Sequence, residues 1–346
     1  MKNSRPTSSV LAAILSPSMR KRFTIVPLLL TIFLDIVGFG IAIPTLAVLL
    51  LDTRMELLPA AASFALRTRT YGWLIAAFPI AQFFGSPILG ALSDRYGRKP
   101  MLILSMIGTF IGYILFAYGI AHGMLWLLFV SRAIAGFTGG NLAIALSSFA
   151  DISTDEGSKA RNFGLVGMAY ALGLILGPYI GGKLADPNVV AWFTPTVPFW
   201  FAAIFAGLNV LFFLILFKET LIIRTHTPVS LLTGTKNIIR AFGIPNLRTM
   251  FIVIFLLTLG FNFFVQSFQV FLVEKFHFNE GQIGDLFAYT ALWVAFSQGI
   301  LTRPLTRRMK PAKLLAYAAF FAAFMFPILT FPNSVILLYA LLPFLA

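Results

Sequence analysis

Apolar positions along this chain fall in continuous blocks, separated by short stretches where Gly, Pro and charged residues gather. A helix buried on one side shows apolar residues at every third or fourth position. A helix apolar on every side is one surrounded by hydrocarbon. The blocks predict membrane spans at about 25–51, 71–91, 101–121, 124–148, 162–182, 196–217, 249–273, 282–302 and 313–331, with a further start at 334. Each complete block is near the ~20 residues that cross a hydrocarbon layer of about 30 Å. The stretch from Val335 to Ala346 offers only about twelve residues of a tenth span. The expected fold is therefore an all-α integral membrane protein with about ten spans.

Composition agrees: 59% of residues are hydrophobic and 11% charged, outside the range of soluble domains, and the mean hydropathy is +0.89. The formal net charge of +14 would suggest nucleic acid in a soluble chain, but its placement argues otherwise. Twenty of the 26 Lys and Arg flank one side of the predicted spans, among them Lys2, Arg5, Arg20, Lys21, Arg22, Arg95, Arg98, Lys99, Arg303, Arg307 and Arg308. Five flank the other side, namely Arg54, Arg67, Arg69, Lys183 and Lys275. By the positive-inside rule the N-terminus is expected to be cytoplasmic. The excess charge then meets anionic lipid headgroups, and no nucleic acid is expected. The apolar run after Arg22 is too long for a signal-peptide core and leads to no cleavage site, so it reads as a retained first helix.

The longest polar connection runs from Lys218 to Arg248, after six spans. It divides the chain into an N-terminal bundle (1–220), a cytoplasmic linker (221–248) and a partial C-terminal bundle (249–346) of about four spans, the last incomplete. A weak repeat supports the division. Leu305 and Arg308 follow the second span of the second half as Leu92 and Arg95 follow the second span of the first. Two such halves imply a site between them near the membrane midplane.

Two unambiguous charges lie well inside spans, Asp35 in the first and Arg132 in the fourth. Ionisable groups at that depth are costly and face a cavity or a partner. Counting from opposite faces, Asp35 is about 15 Å deep and Arg132 about 12 Å, which brings the two within side-chain reach. One reading makes them a static brace between helices. The other makes Asp35 a titratable carrier of a proton or cationic substrate, with Arg132 tuning it. Gly38 and Ala42 follow Asp35, Gly136 and Gly140 follow Arg132, and Pro44 is expected to kink the first helix. In the fifth span Gly173, Gly177 and Gly181 make a smooth face beside Pro178, a pattern that tight helix packing alone would also produce.

A loop of about seven residues, with Asp94, Arg95, Tyr96, Gly97, Arg98 and Lys99 at its centre, joins the second and third spans. Gly90 is expected to permit close packing, Gly97 a tight turn, and Pro100 the first turn of the next helix. Asp94 is expected to accept from backbone donors at that helix N-terminus, and Arg98 to pair with Asp151. Such a cluster would latch one conformation. Cysteine is absent, no His-Glu-x-x-His run occurs, and His122, His226 and His277 fall at or beyond span ends. No metal site, cofactor or catalytic residue is therefore expected.

The stretch from Gly90 to Leu102 resembles the loop motif between helices 2 and 3 of the major facilitator superfamily. With Leu34 to Pro44, Ser93 to Gly108, Ser131 to Gly139, Gly173 to Gly182 and Phe217 to Thr220, the chain looks like the drug/proton antiporter branch, and most like its tetracycline/proton antiporters. The resemblance implies alternation of two halves, with export driven by proton entry. It assigns Asp35 and Arg132 to the transport path, and Gly90, Asp94, Arg95, Gly97, Arg98 and Asp151 to a cytoplasmic gate. Gly173, Gly177, Pro178 and Gly181 become an antiporter-type fifth helix. The expected partners are a small, largely apolar substrate, protons and anionic lipids. A monomer in a bacterial-type inner membrane is expected. The aspartate that tetracycline exporters carry in the third span falls at Gly112 here, and 313–331 has no acidic residue, which argues against tetracycline itself. Proton-coupled uptake of a metabolite and a remnant that binds without translocating are the alternatives.

Overall fold

The structure is a computed structural model that describes residues 17–52, 57–221, 224 and 233–345. Lys2, Arg5, Arg54 and His226, weighed above, lie outside the described residues, as does much of the predicted linker. The described residues form helices joined by turns and short connections, with no strand among them. The first six spans are α1 (Pro17–Leu51), α2 (Phe64–Tyr96), α3 (Arg98–Ala121), the broken pair α4 (Leu125–Thr138) and α5 (Asn141–Asp151), α6 (Glu156–Ala185) and α7 (Val197–Leu216). A short helix α8 (Thr233–Phe242) precedes α9 (Pro245–Phe276). Then come α10 (Glu280–Phe296), which runs through a wide turn at Ser297–Leu301 into α11 (Thr302–Arg308), then α12 (Pro311–Ile328) and α13 (Val335–Leu345). Among the described residues, seven helical segments are long and apolar enough to cross a membrane, fewer than the blocks suggested.

Helix ends follow local chemistry. Asp155 caps α6, accepting from the Ser158 amide at 2.8 Å while the Ser158 hydroxyl accepts from the Asp155 amide, a capping box. That backbone hydrogen bond holds the Asp155 carboxyl below its ordinary range. Asn279 and Gln282 do the same for α10. Helix α1 runs on through Pro44 without interruption.

The seven-residue loop of the sequence shrinks to one residue. Helix α2 continues to Tyr96 and α3 begins at Arg98, with only Gly97 between them at φ +117°. Charged residues extend a helix readily once it leaves the hydrocarbon, and only glycine adopts that backbone conformation cheaply.

Three large apolar cores, with a smaller fourth around Val37, Ile41 and Ala202, are formed by the described residues. One, near the face where α1 starts, gathers Leu28, Ile32, Leu102, Phe149, Phe213 and Phe217. A second, at the opposite face, gathers Leu46, Leu50, Tyr71, Phe116, Leu128 and Phe199. The third joins Val48 of α1 to Phe268, Leu272, Ile283 and Leu338 of the second half. Large side chains such as Ile215, 79% exposed, and Phe263, 73% exposed, turn outward, as lipid-facing positions do.

Candidate functional site

Asp35 lies in mid-α1 and lines a cavity of about 260 Å³ with Phe33, Gly38, Met106, Tyr113, Phe201 and Asn209. The walls come from α1, α3, α6 and α7 and are mostly apolar. The fourth span does not cross as one helix. It breaks at Gly139 and Gly140, and Asn141 opens the new helix α5. The Asn141 side-chain amide donates to Asp35 Oδ2 at 2.5 Å. Beside them, a Cβ on Gly38 would collide with the Tyr113 hydroxyl. Glycine at 38 is thus the condition for Tyr113 to lie against α1.

Arg132 does not reach Asp35, and among the described residues the two form no ion pair. Arg132 stacks its guanidinium over Phe116, 5.2 Å from the ring centroid, an attraction of about 0.5–2 kcal/mol. Its Nε is buried without a hydrogen-bond partner among the described residues. Tyr113 lines the same cavity as Asp35. Depth alone placed the two charges at one level. The bulk of Phe116 and Tyr113, which depth does not register, decides how they face each other. Tyr71 of α2 donates to Gln269 Oε1 at 3.0 Å, a polar contact between α2 and α9.

At the face where α1 starts, Arg98 is the hub. Its guanidinium meets Asp94 at 2.5 Å and Asp151 at 3.1 Å, and donates to Ser93 Oγ at 2.7 Å. The residue itself is buried, 7% exposed. A buried cation is strongly destabilised when its charge is left without a partner, and here two carboxylates share it. Asp94 ends α2 and does not cap α3. That place belongs to Glu219, which accepts from the amides of Arg98 at 2.9 Å and Lys99 at 3.1 Å, where the helix dipole favours an anion. Arg95 turns outward over the Tyr96 ring. Gly90 has open space beside it, whereas a Cβ on Gly97 would strike the Glu219 carboxylate. Close packing therefore belongs to Gly97 and not to Gly90.

The α6 glycines face α1. A Cβ on Gly173 would meet Ile36, on Gly177 the Val37 carbonyl and Gly40, on Gly181 the Ile41 backbone. Pro178 lies against Gly40. Just beyond, Gly182 and Gly284 let α6 and α10 touch backbone to backbone, and Lys183 pairs with Asp285 at 2.8 Å. Asp186 accepts from Asn279 at 3.2 Å and Asn188 at 2.8 Å. Arg67, counted above as an orienting charge, is 1% exposed and donates to the carbonyls of Leu50, Asp52, Pro59 and Ala62. It ties the α1–α2 connection in place.

Sequence reasoning missed Asn141, Tyr113, Glu219 and the Lys183–Asp285 pair. Asn141 had a visible signal, an amide directly after Gly-Gly inside an apolar block. The others are long-range partners that spacing does not reveal.

Residues 28–346 match the Major Facilitator Superfamily. The chain is 32% identical over 297 residues to the tetracycline resistance protein, class C, of Escherichia coli, covering 84% of this chain and 69% of that protein. It is 31% identical over 289 residues to the class H tetracycline resistance protein of Pasteurella multocida, covering 82% and 67%. To multidrug resistance protein 1 of Bacillus subtilis (strain 168) it is 26% identical over 316 residues, covering 91% and 75%. In fold it is similar to the crystal structure of the human organic anion transporter MFSD10 (TETRAN), with a TM-score of 0.66 at 22% identity over 95% of this chain and 82% of that one. It is likewise similar to that of a D-xylose–proton symporter, with a TM-score of 0.62 at 15% identity over 93% and 79%. This multi-pass membrane protein therefore belongs to the major facilitator superfamily.

Proposed function

We propose that this chain is a secondary active exporter, moving small and largely apolar molecules out of the cell against proton entry by alternating access. The observation that carries the reading is Asp35, an ionisable carboxyl at membrane depth on the wall of a cavity of about 260 Å³, with a buried amide on it. Such a group is costly unless its charge is used. Protonation removes the charge and the associated desolvation cost, so a proton taken up from one side biases the halves toward the other. The resistance proteins to which it is similar support export over uptake. Arg132 and Tyr113 complete the path, and Arg98 with Asp94, Asp151 and Glu219 forms the cytoplasmic gate. Gly90, Gly97 and Arg95 shape its turn, and the face of Gly173, Gly177, Pro178 and Gly181 carries the motion of α6 on α1.

The cavity walls favour apolar substrates over tetracycline. At Gly112 a Cβ would lie 2.8 Å from the Ala135 side chain, which leaves no room for an acidic group. We place the protein in the inner membrane with its N-terminus cytoplasmic, as a monomer whose basic flank meets anionic lipid. Its work is transport and not catalysis.

The test is reconstitution in vesicles with an imposed pH gradient, following tetracycline and a lipophilic fluorescent dye. Asp35→Asn is expected to abolish gradient-driven movement while the protein remains inserted. Full coupled transport by the variant would end this assignment of the proton carrier.

A further inference from the structure

The break in the fourth span is a built feature. Gly139 and Gly140 interrupt the backbone at membrane depth, where an unpaired carbonyl is strongly unfavourable. Neighbouring helices supply the missing donors. Gln82 of α2 donates to the Gly139 carbonyl at 2.7 Å, and Ser105 of α3 to that of Thr138. Cβ atoms on Gly136 and Gly85 would strike the backbones of α2 and α4 respectively, so the two helices lie close enough for these caps to reach. The consequence is the placement of Asn141. It opens α5, is 3% exposed, and aims its amide at Asp35.

The two ends of that amide are not alike. Nδ2 is spent on the Asp35 carboxylate at 2.5 Å. Oδ1 is buried with no hydrogen-bond partner among the described residues. Burying an acceptor without a partner is unfavourable, which is hard to explain for a residue serving only the ionised form of Asp35. A carboxylate needs a donor, and a carboxylic acid needs an acceptor for its proton. One side-chain amide offers both, on rotation about its last torsion.

We infer that Asn141 is the positioning residue for Asp35, serving both of its protonation states: Nδ2 donates to the carboxylate, and Oδ1 accepts the proton of the acid. The inference rests on the proposed role of Asp35 as proton carrier. Other groups around Asp35 do not duplicate it. Tyr113 of α3 is the titratable neighbour on the cavity wall, Arg132 of α4 forms no ion pair with Asp35 and lies over Phe116, and α6 and α7 bring Ile180, Phe201 and the amide of Asn209. Asn209 spends its Nδ2 on Thr31 at 3.2 Å, and its Oδ1, also buried without a partner among the described residues, makes no hydrogen bond to Asp35. Because the break sets where Asn141 points, a change of proton on Asp35 changes the hydrogen bonds at the joint between α4 and α5.

The measurement is a pH titration of protonated carboxyl groups by infrared difference spectroscopy on the full chain in lipid, which needs no substrate. The band lost in Asp35→Asn identifies Asp35. Leucine removes both bonds, and the charge-assisted one to the carboxylate is the stronger, so Asn141→Leu is expected to move the midpoint of that band to higher pH by about half a unit or more. It should also raise the band's frequency, because the acid loses its acceptor. Asn141→Ser, which keeps a hydroxyl able to donate and accept, is expected to recover most of both shifts. If Asn141→Leu does not insert, Asn141→Ala takes its place. A midpoint and frequency equal to those of the unaltered protein would overturn the inference, as would equal shifts in the Leu and Ser variants or no titrating band assignable to Asp35. Failure of the carrier role is read separately, as coupled transport surviving in Asp35→Asn.

Discussion

At the scale of single residues, two glycines of one motif make opposite demands. Gly97 sits at φ +117° with the Glu219 carboxylate where a side chain would begin. Gly90 is inside α2 with nothing near it. Gly97→Ala is therefore expected to lower stability by about 2 kcal/mol. Gly90→Ala is expected to leave it unchanged or raise it by about 0.5–1 kcal/mol. Thermal melting of the purified protein in detergent checks both, and equal effects would contradict the geometry. The sequence placed close packing at Gly90 and the tight turn at Gly97, and it missed the close approach at Gly97 because motif spacing records that glycine is present without saying what lies beside it. The same limit applies to Arg98 and Asp94. Asp94 is in the last turn of α2 and Arg98 opens α3, so their ion pair closes across the single residue Gly97, which spacing did not reveal. Asp35 and Arg132 were legible as charges in apolar blocks. Their true neighbours, Asn141 and Phe116, depend on side-chain bulk and on a backbone break.

At the scale of elements, the helices were legible because hydrocarbon demands long uniform blocks, and the breaks were harder because they rest on a few atoms. Gly139-Gly140 splits the fourth span only because Gln82 and Ser105 cap the freed carbonyls from two other helices. Helix α6 shows how face decides what a glycine does. Gly177 lies against α1, where a Cβ would be 2.7 Å from the Val37 carbonyl and 2.8 Å from the Gly40 Cα, while Gly164 and Gly167 have open space. Backbone on the far side cannot yield as a flexible side chain can. Gly177→Ala is expected to cost about 1–3 kcal/mol by overpacking and to slow transport. Gly164→Ala and Gly167→Ala on the same helix should do neither. Parallel melting and vesicle-uptake measurements on the three variants distinguish a packing face from a generally flexible helix, which would respond alike at all three positions.

At the scale of the whole molecule, the two halves meet at the face where α1 ends. Tyr71 reaches Gln269, Val48 enters the core of the second half, and Lys183 pairs with Asp285 beside the Gly182–Gly284 contact. If this seam closes the outer face, its parting is what releases substrate, and the ion pair should set how often it opens. The side chains are 31% and 43% exposed, so solvent screening limits the pair to about 0–1 kcal/mol. Such a term is too small to decide folding and large enough to change an open-state population about fivefold. Because the chain has no cysteine, a single Gln269→Cys reports access beneath the seam by its rate of reaction with a membrane-impermeant maleimide. Lys183→Asp, which places like charges together, is expected to raise that rate about threefold to tenfold with little change in melting temperature. Adding Asp285→Lys restores the attraction with its sign reversed and should bring the rate back toward its starting value. A rate that ignores both substitutions would mean that the glycine contact alone holds the seam and that the charges are bystanders.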